Sequence, residues 1–179
     1  LPGKFNVLNA LAALTLSCEL GIPLDTAKRG IEGLTQIRGR VEKVDEGQNF
    51  TVIVDYAHTD DSLRKLYETF SSSRKIAVLG STGGGRDSWK RPVLGKIADE
   101  YCDEILITNE DPYDEDPSKI IAEVASGVTT HTPHIIVDRR EAIAKALSLA
   151  RINDTVLITG KGTDPYIMGP HGTKEVWDD

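Results

Sequence analysis

From about residue 41 onward, short apolar runs alternate with longer amphipathic ones, and no other feature constrains the fold as much. Runs such as KIAVLG (75–80), EILIT (104–108) and TVLIT (155–159) are apolar on both faces. Strands read that way when helices cover both sides of a parallel sheet. The intervening stretches carry helix signals, with Asp60-Asp61, Asp116-Pro117 and Pro92 placed at expected helix starts. The pattern predicts strands over 41–45, 50–55, 75–80, 104–108, 135–137 and 155–159. Helices are predicted over about 60–70, 91–101, 117–127 and 141–150. The expected class is α/β, a mostly parallel sheet with helices on both faces.

The first forty residues follow another rule. NVLNALAALTLSCEL (6–20) spaces Val7, Leu8, Leu11, Leu14 and Leu20 as an amphipathic helix does, and Gly21 and Pro23 stop it. A second helix is expected from an Asp25 cap to about Leu34. The working division is a helical piece over 1–38 and an α/β domain over 39–179. The start, Leu1-Pro2-Gly3, reads as the interior of a longer chain.

Composition narrows the function classes. The chain has 179 residues, 39% hydrophobic and 27% charged, with a formal net charge of −7. That balance argues against a broad nucleic-acid surface. No apolar run approaches the roughly 20 residues of a membrane helix, so neither nucleic acid nor membrane is expected as a partner. Cys18 and Cys102 have no metal-type spacing and are expected to be buried, reduced thiols.

In open parallel sheets, ligands bind beyond the carboxyl ends of the strands. The chemically distinctive residues fall there. Asp55-Tyr56-Ala57-His58 follows one strand, where the aromatic and imidazole can line a nucleotide base and Asp55 can accept from ribose hydroxyls. GSTGGGRDSWKRP (80–92) follows the next. Its glycines allow close backbone approach to an anion, and Arg86, Lys90 and Arg91 suggest a carboxylate grip. NEDPYDEDP (109–117) puts five carboxylates on the same rim, a candidate pocket for a cationic group. GKGTDPY (160–166) follows the last strong strand. It is not a P-loop, because Thr155 stands where the first glycine is required, and GxxxxGK[ST] occurs nowhere else. His131 and His134 lack the partners of a metal site, and His171 reads as surface.

VDYAHTDDSL (54–63) closely resembles the VDYAHTPDSL stretch of the Mur ligase family, in its members that add the third amino acid of the cell-wall peptide. Asp60 stands in place of the usual proline. FNVLNALAAL (5–14), IRGRVE (37–42), GGGRDSWKRP, EDPYDEDP, DRREAI (138–143) and VLITGKGTDPY resemble further family blocks in the same order. The resemblance implies a Rossmann-like C-terminal domain preceded by the closing helices of a central ATPase domain. It implies ATP-dependent amide ligation to a UDP-muramoyl dipeptide through an acyl phosphate, in the cytoplasm, by a monomer. ATP, the UDP-muramoyl peptide and a free amino acid are the implied partners. Mg2+ is implied too, its ligands mainly in the central domain, so the fragment alone is expected to be inactive.

Position by position, the resemblance puts Asn6 and Asn9 near adenine, Arg40 at the ATP phosphates, and Asp55, Tyr56 and His58 beside the nucleotide. Arg86 would grip the carboxylate of the incoming amino acid. Glu110, Asp111 and Tyr113 fall on the specificity loop. Gly160 and Asp164 fall on the last loop, where the family often has GKGHE. Members that take diaminopimelate usually carry DNPR where this chain has Glu110-Asp111-Pro112-Tyr113. The missing arginine points to a basic amino acid without a distal carboxylate, such as lysine or ornithine. Alternatives are a folylpolyglutamate- or cyanophycin-type ligase, though the former typically shows DGAHN at 55–59, and a non-catalytic binding module of the same fold.

Overall fold

The computed structural model describes residues 1–85 and 87–179. Two helices, α1 (Lys4–Glu19) and α2 (Leu24–Glu32), pack on each other at the start. Helix α2 begins one residue before the expected cap. The Pro23 carbonyl accepts from Thr26 and Ala27 N–H, and Asp25 sits inside the first turn, where it favours the positive end of the helix. No residue of α1 is buried; Val7, Leu8, Leu11, Leu16 and Leu20 are all exposed. Cys18 shares that exposure, contrary to expectation, because no described element covers the outer face of α1. Cys102 is buried as expected, and burial pushes its thiol pKa up, which keeps it protonated and inert.

The α/β unit follows. Strand β1 (Glu42–Val44) pairs antiparallel with β2 (Thr51–Asp55). Then come α3 (Asp60–Thr69), β3 (Lys75–Leu79), α4 (Lys90–Tyr101), β4 (Glu104–Ile107), α5 (Pro117–Ala125), β5 (His134–Ile135), α6 (Arg139–Leu149) and β6 (Thr155–Thr159). The sheet order is β1-β2-β6-β3-β4-β5, parallel throughout except for β1. The sixth strand thus inserts between the second and third. Its neighbour β3 leads outward to β4, so the chain changes direction at the β3/β6 boundary, which opens a crevice at the carboxyl ends there.

Helix starts are built from local chemistry. The Thr59 hydroxyl accepts from Ser62 N–H and the Ser62 hydroxyl accepts from Thr59 N–H, so a capping box opens α3 in place of the expected Asp60-Asp61 cap; both acids lie in the first turn. Asp116 caps α5 through Ser118 N–H, with Pro117 in the first turn, and Asp138 caps α6 through Glu141 N–H. Two apolar clusters sandwich the sheet. One gathers Leu63, Leu66, Tyr67, Leu94, Ile97 and Val124 against Ile53, Leu79 and Leu157. The other joins Ala142 and Ala146 to Val54, Val78, Leu106, Val156 and Ile158. Each buried Val, Leu or Ile side chain contributes roughly 1.5–3 kcal/mol.

After β6 the chain forms an unexpected antiparallel hairpin, β7 (Tyr166–Met168) and β8 (Lys174–Val176). It backs onto the acidic loop that precedes α5. Tyr113 N–H donates to Met168 O at 3.0 Å, and Met168 N–H to Asp111 Oδ1 at 2.8 Å. No helix among the described residues is long and apolar enough to cross a membrane.

Candidate functional site

The loops at the carboxyl ends of β2, β3, β4 and β6 meet over the crevice. At the end of β2, the Asp55 carboxylate turns back into the fold. It accepts from Val41 N–H at 2.7 Å and Ala57 N–H at 2.8 Å, fastening the strand end to the segment that enters the domain. Burial raises its pKa, while the two N–H donors and Arg40 oppose the rise. Each oxygen keeps a further lone pair free to accept. Tyr56 follows, its ring edge-on to His58 at 4.8 Å between centroids, with the Arg40 guanidinium over its face at 4.9 Å. His58 Nδ1 lies 2.8 Å from the Tyr56 carbonyl oxygen. A carbonyl can only accept, so Nδ1 carries the hydrogen.

These residues wall a cavity of about 620 Å³ between α1 and the sheet, lined by Asn6, Asn9, Arg40, Asp55, Tyr56 and His58 together with Phe5, Ile37 and Leu66. All six residues expected around a nucleotide therefore face one space. Its apolar wall suits a flat ring, and its polar rim suits hydroxyls and phosphates.

A second cavity, of about 250 Å³, adjoins it and shares Tyr56 and His58. Thr82, Gly83, Asp87, Lys90, Glu110, Asp111, Tyr113, Gly160 and Asp164 complete its lining. The space at this rim thus has two joined chambers, with Asp55 on the larger and Glu110 and Asp164 on the smaller. Arg86 lies outside the described residues.

Carboxylates dominate the smaller chamber, but they differ in kind. Glu110 is buried and accepts from the Thr82 hydroxyl at 2.9 Å. Gly160, at φ 106°, packs so closely on it that any Cβ would overlap Glu110 Oε2. Burial pushes the Glu110 pKa above its ordinary 4.5, against the pull of Arg139 and the Thr82 hydrogen bond. Asp111 is spoken for: both its oxygens lie 2.8 Å from Lys161 Nζ, whose side chain is 1% exposed. Asp164 sits half-exposed on the rim, 3.5 Å from the same Lys161. With a P-loop excluded, nothing else in GKGT marks Lys161 as the partner of a buried carboxylate. Arg91, expected to help grip a carboxylate, points away from the cavity and is buried among Glu115, Glu123 and the Thr82 carbonyl. His131 is likewise engaged structurally, its Nδ1 2.8 Å from Asp99.

The raised Glu110 pKa has a consequence for stability. A carboxylate disfavoured in the fold contributes stability that is present below its unfolded value and is lost as pH rises through the higher folded value. Glu110→Gln is therefore expected to remove a loss of stability that the wild type suffers on going from about pH 4.5 upward. Urea unfolding midpoints across a pH series check this; a variant that tracks the wild type at every pH contradicts it.

The family pattern described as "Mur ligase, glutamate ligase domain" matches residues 39–162, more than half of the chain. The chain belongs to the Mur ligase family. It is 42% identical over 171 residues to the UDP-N-acetylmuramoyl-L-alanyl-D-glutamate–2,6-diaminopimelate ligase of Caldanaerobacter subterraneus subsp. tengcongensis, covering 93% of this chain and 35% of that protein. It is 44% identical over 189 residues to the UDP-N-acetylmuramyl-tripeptide synthetase of Roseiflexus sp., covering 100% of this chain and 36% of that protein. A solved structure of a UDP-N-acetylmuramoyl-L-alanyl-D-glutamate–2,6-diaminopimelate ligase superposes with a TM-score of 0.74 at 33% identity, over 99% of this chain and 37% of that one. The chain thus spans about a third of the length of these relatives. Within this Mur ligase domain, no three His, Cys, Asp or Glu side chains among the described residues converge as a metal site.

Proposed function

We propose that this chain is the C-terminal part of a cytoplasmic, monomeric, ATP-dependent ligase that adds the third amino acid to a UDP-N-acetylmuramoyl dipeptide. Residues 1–38 are then the closing helices of its central ATPase domain; the family match beginning at Gly39 supports that boundary. The observation that carries the reading is the junction of the two chambers at Tyr56 and His58. A ligase of this type needs a nucleotide and an amine held side by side, so that an activated carboxylate can meet both.

The chemistry proceeds in two steps. A carboxylate oxygen of the dipeptide takes the γ-phosphoryl group, giving an acyl phosphate and ADP. The amine nitrogen then attacks the acyl carbon, loses a proton, and phosphate leaves as the amide forms. In the larger chamber, Asn6 and Asn9 lie at the base, Asp55, Tyr56 and His58 beside the sugar and ring, and Arg40 toward the phosphates. By the family resemblance alone, Arg86 is assigned the amino-acid carboxylate. Glu110 and Asp164 attract its ammonium groups, while Asp111, Tyr113 and Gly160 shape the wall.

The substrate is an amino acid with a distal ammonium and no distal carboxylate, such as lysine or ornithine. Glu110, Asp164 and Asp87 outnumber Lys90 among the described lining once Asp111 is neutralised by Lys161. Tyr113 offers no positive charge to a second carboxylate. Diaminopimelate is the second reading, favoured by the relatives that carry its name. Turnover of ATP by the full-length protein, dependent on UDP-muramoyl dipeptide and measured with each amino acid, tests both; no dependence on the dipeptide sinks the ligase reading. Tyr113→Arg adds a charged donor, at a position whose φ of 52° is no worse for arginine than for tyrosine. It is expected to shift the kcat/KM ratio toward diaminopimelate by about ten- to a hundredfold, the worth of one charged hydrogen bond of ~1.5–3 kcal/mol. An unmoved ratio counts against this placement of the loop.

A further inference from the structure

Arg91 is a buried cation, at 1% side-chain exposure, and the proposed chemistry does not use it. Its guanidinium joins three segments. Nη1 donates to Glu115 Oε2 at 3.0 Å and to Glu123 Oε2 at 2.7 Å, and Nη2 donates to Glu115 Oε1 and to the Thr82 carbonyl, each at 3.2 Å. Glu115 has a second task, accepting from Gly85 N–H at 2.6 Å. The glycine loop and the acidic loop are thereby laced residue by residue. Gly83 N–H donates to Asp111 O at 2.7 Å, Gly84 faces the Tyr113 ring, and Gly85 meets Glu115. Gly83 and Tyr113 line the smaller chamber; Arg91 and Glu115 lie behind it.

We propose that Arg91 and Glu115 form a clasp that fixes the gap between the glycine loop and the acidic loop, and so sets the affinity for the incoming amino acid. Both are positioning residues. The inference rests on the ligase reading of the smaller chamber and deepens it. Burial alone would depress the charge on Arg91, and the two carboxylates more than offset this; Arg91 and Gly85 in turn hold Glu115 below its ordinary range. Glu123 serves as an internal control, because it pairs with Arg91 and makes no hydrogen bond to the described residues of the glycine loop.

The test uses the full-length protein as wild type, Glu115→Ala, Glu115→Gln and Glu123→Gln. Glu115→Ala is expected to raise KM for the amino acid by about tenfold or more while KM for ATP stays within about twofold, because a displaced loop misplaces one substrate and not the other. Glu115→Gln, which keeps an acceptor for Gly85, is expected to fall between, and Glu123→Gln to match the wild type. A parallel rise in KM for ATP, an unchanged KM for the amino acid, or a Glu123→Gln effect equal to that of Glu115→Ala overturns the clasp. Amide hydrogen exchange over residues 82–85 reads it without turnover. Faster exchange in Glu115→Ala but not in Glu123→Gln is expected, and equal exchange in all four proteins overturns it. A wild type without ligation sinks the ligase reading instead, and the exchange result still decides the clasp.

Discussion

Alanine at Gly83 is expected to lower kcat/KM for the incoming amino acid by about a hundredfold, the scale of a displacement of ~1 Å at a reacting group. The reason is backbone on backbone. A methyl group there would press on Ile120 Cδ1 and overlap the Pro112 carbonyl, which as backbone cannot swing aside. The glycine loop and the acidic loop must separate, and the 2.7 Å hydrogen bond from Gly83 N–H to Asp111 O goes with them. Gly83 lines the smaller chamber only, so KM for ATP should hold. Steady-state kinetics of the full-length variant decide the point. Equal losses toward both substrates would indicate general unfolding, and no loss would place the amino acid elsewhere.

The largest stability effect is expected at Asp179. Its side chain and that of Arg139 are both fully buried, and they meet as a two-pronged pair, Nε to Oδ1 at 2.7 Å and Nη2 to Oδ2 at 2.6 Å. Trp177 Nε1 adds a hydrogen bond to Oδ1 at 2.8 Å. Arg139 also donates to the Thr159 carbonyl at the end of β6, at 2.9 Å, so the pair ties the last segment to the floor of the crevice. Asp179→Ala leaves a buried guanidinium without its counter-ion, which costs about 3–5 kcal/mol. Replacing both residues by leucine should cost much less, because no unpaired charge remains. Urea unfolding, read as a lower midpoint at unchanged slope, checks both; a loss below about 1 kcal/mol for Asp179→Ala would mean that water reaches Arg139.

The strand-and-helix rhythm was legible because β2, β3, β4 and β6 are buried on both faces and admit few polar residues. The β7–β8 hairpin was not. Its strands are three residues each, and Val176 is 80% exposed, so no alternation of period two can develop. Residues facing open space were easier to place than residues facing each other. Asn6, Arg40, Tyr56, His58, Glu110 and Asp164 all line the joined chambers. Arg91 and Lys161 were harder, because a cation in a polar loop looks the same whether it meets a ligand or a buried carboxylate of the chain itself. For Lys161 a hint existed, since it continues the apolar run VLITG into the interior. For Arg91 the partners come from α5 and the loop before it, a pairing that only the packed fold brings together.

A crystal structure of the full-length protein with a non-hydrolysable ATP analogue and lysine tests the two-chamber assignment most directly. The nucleotide should occupy the larger space against Asn6, Asp55 and His58, and the amino acid the smaller one, its ammonium groups toward Glu110 and Asp164. Either molecule bound away from the Tyr56–His58 junction would contradict it.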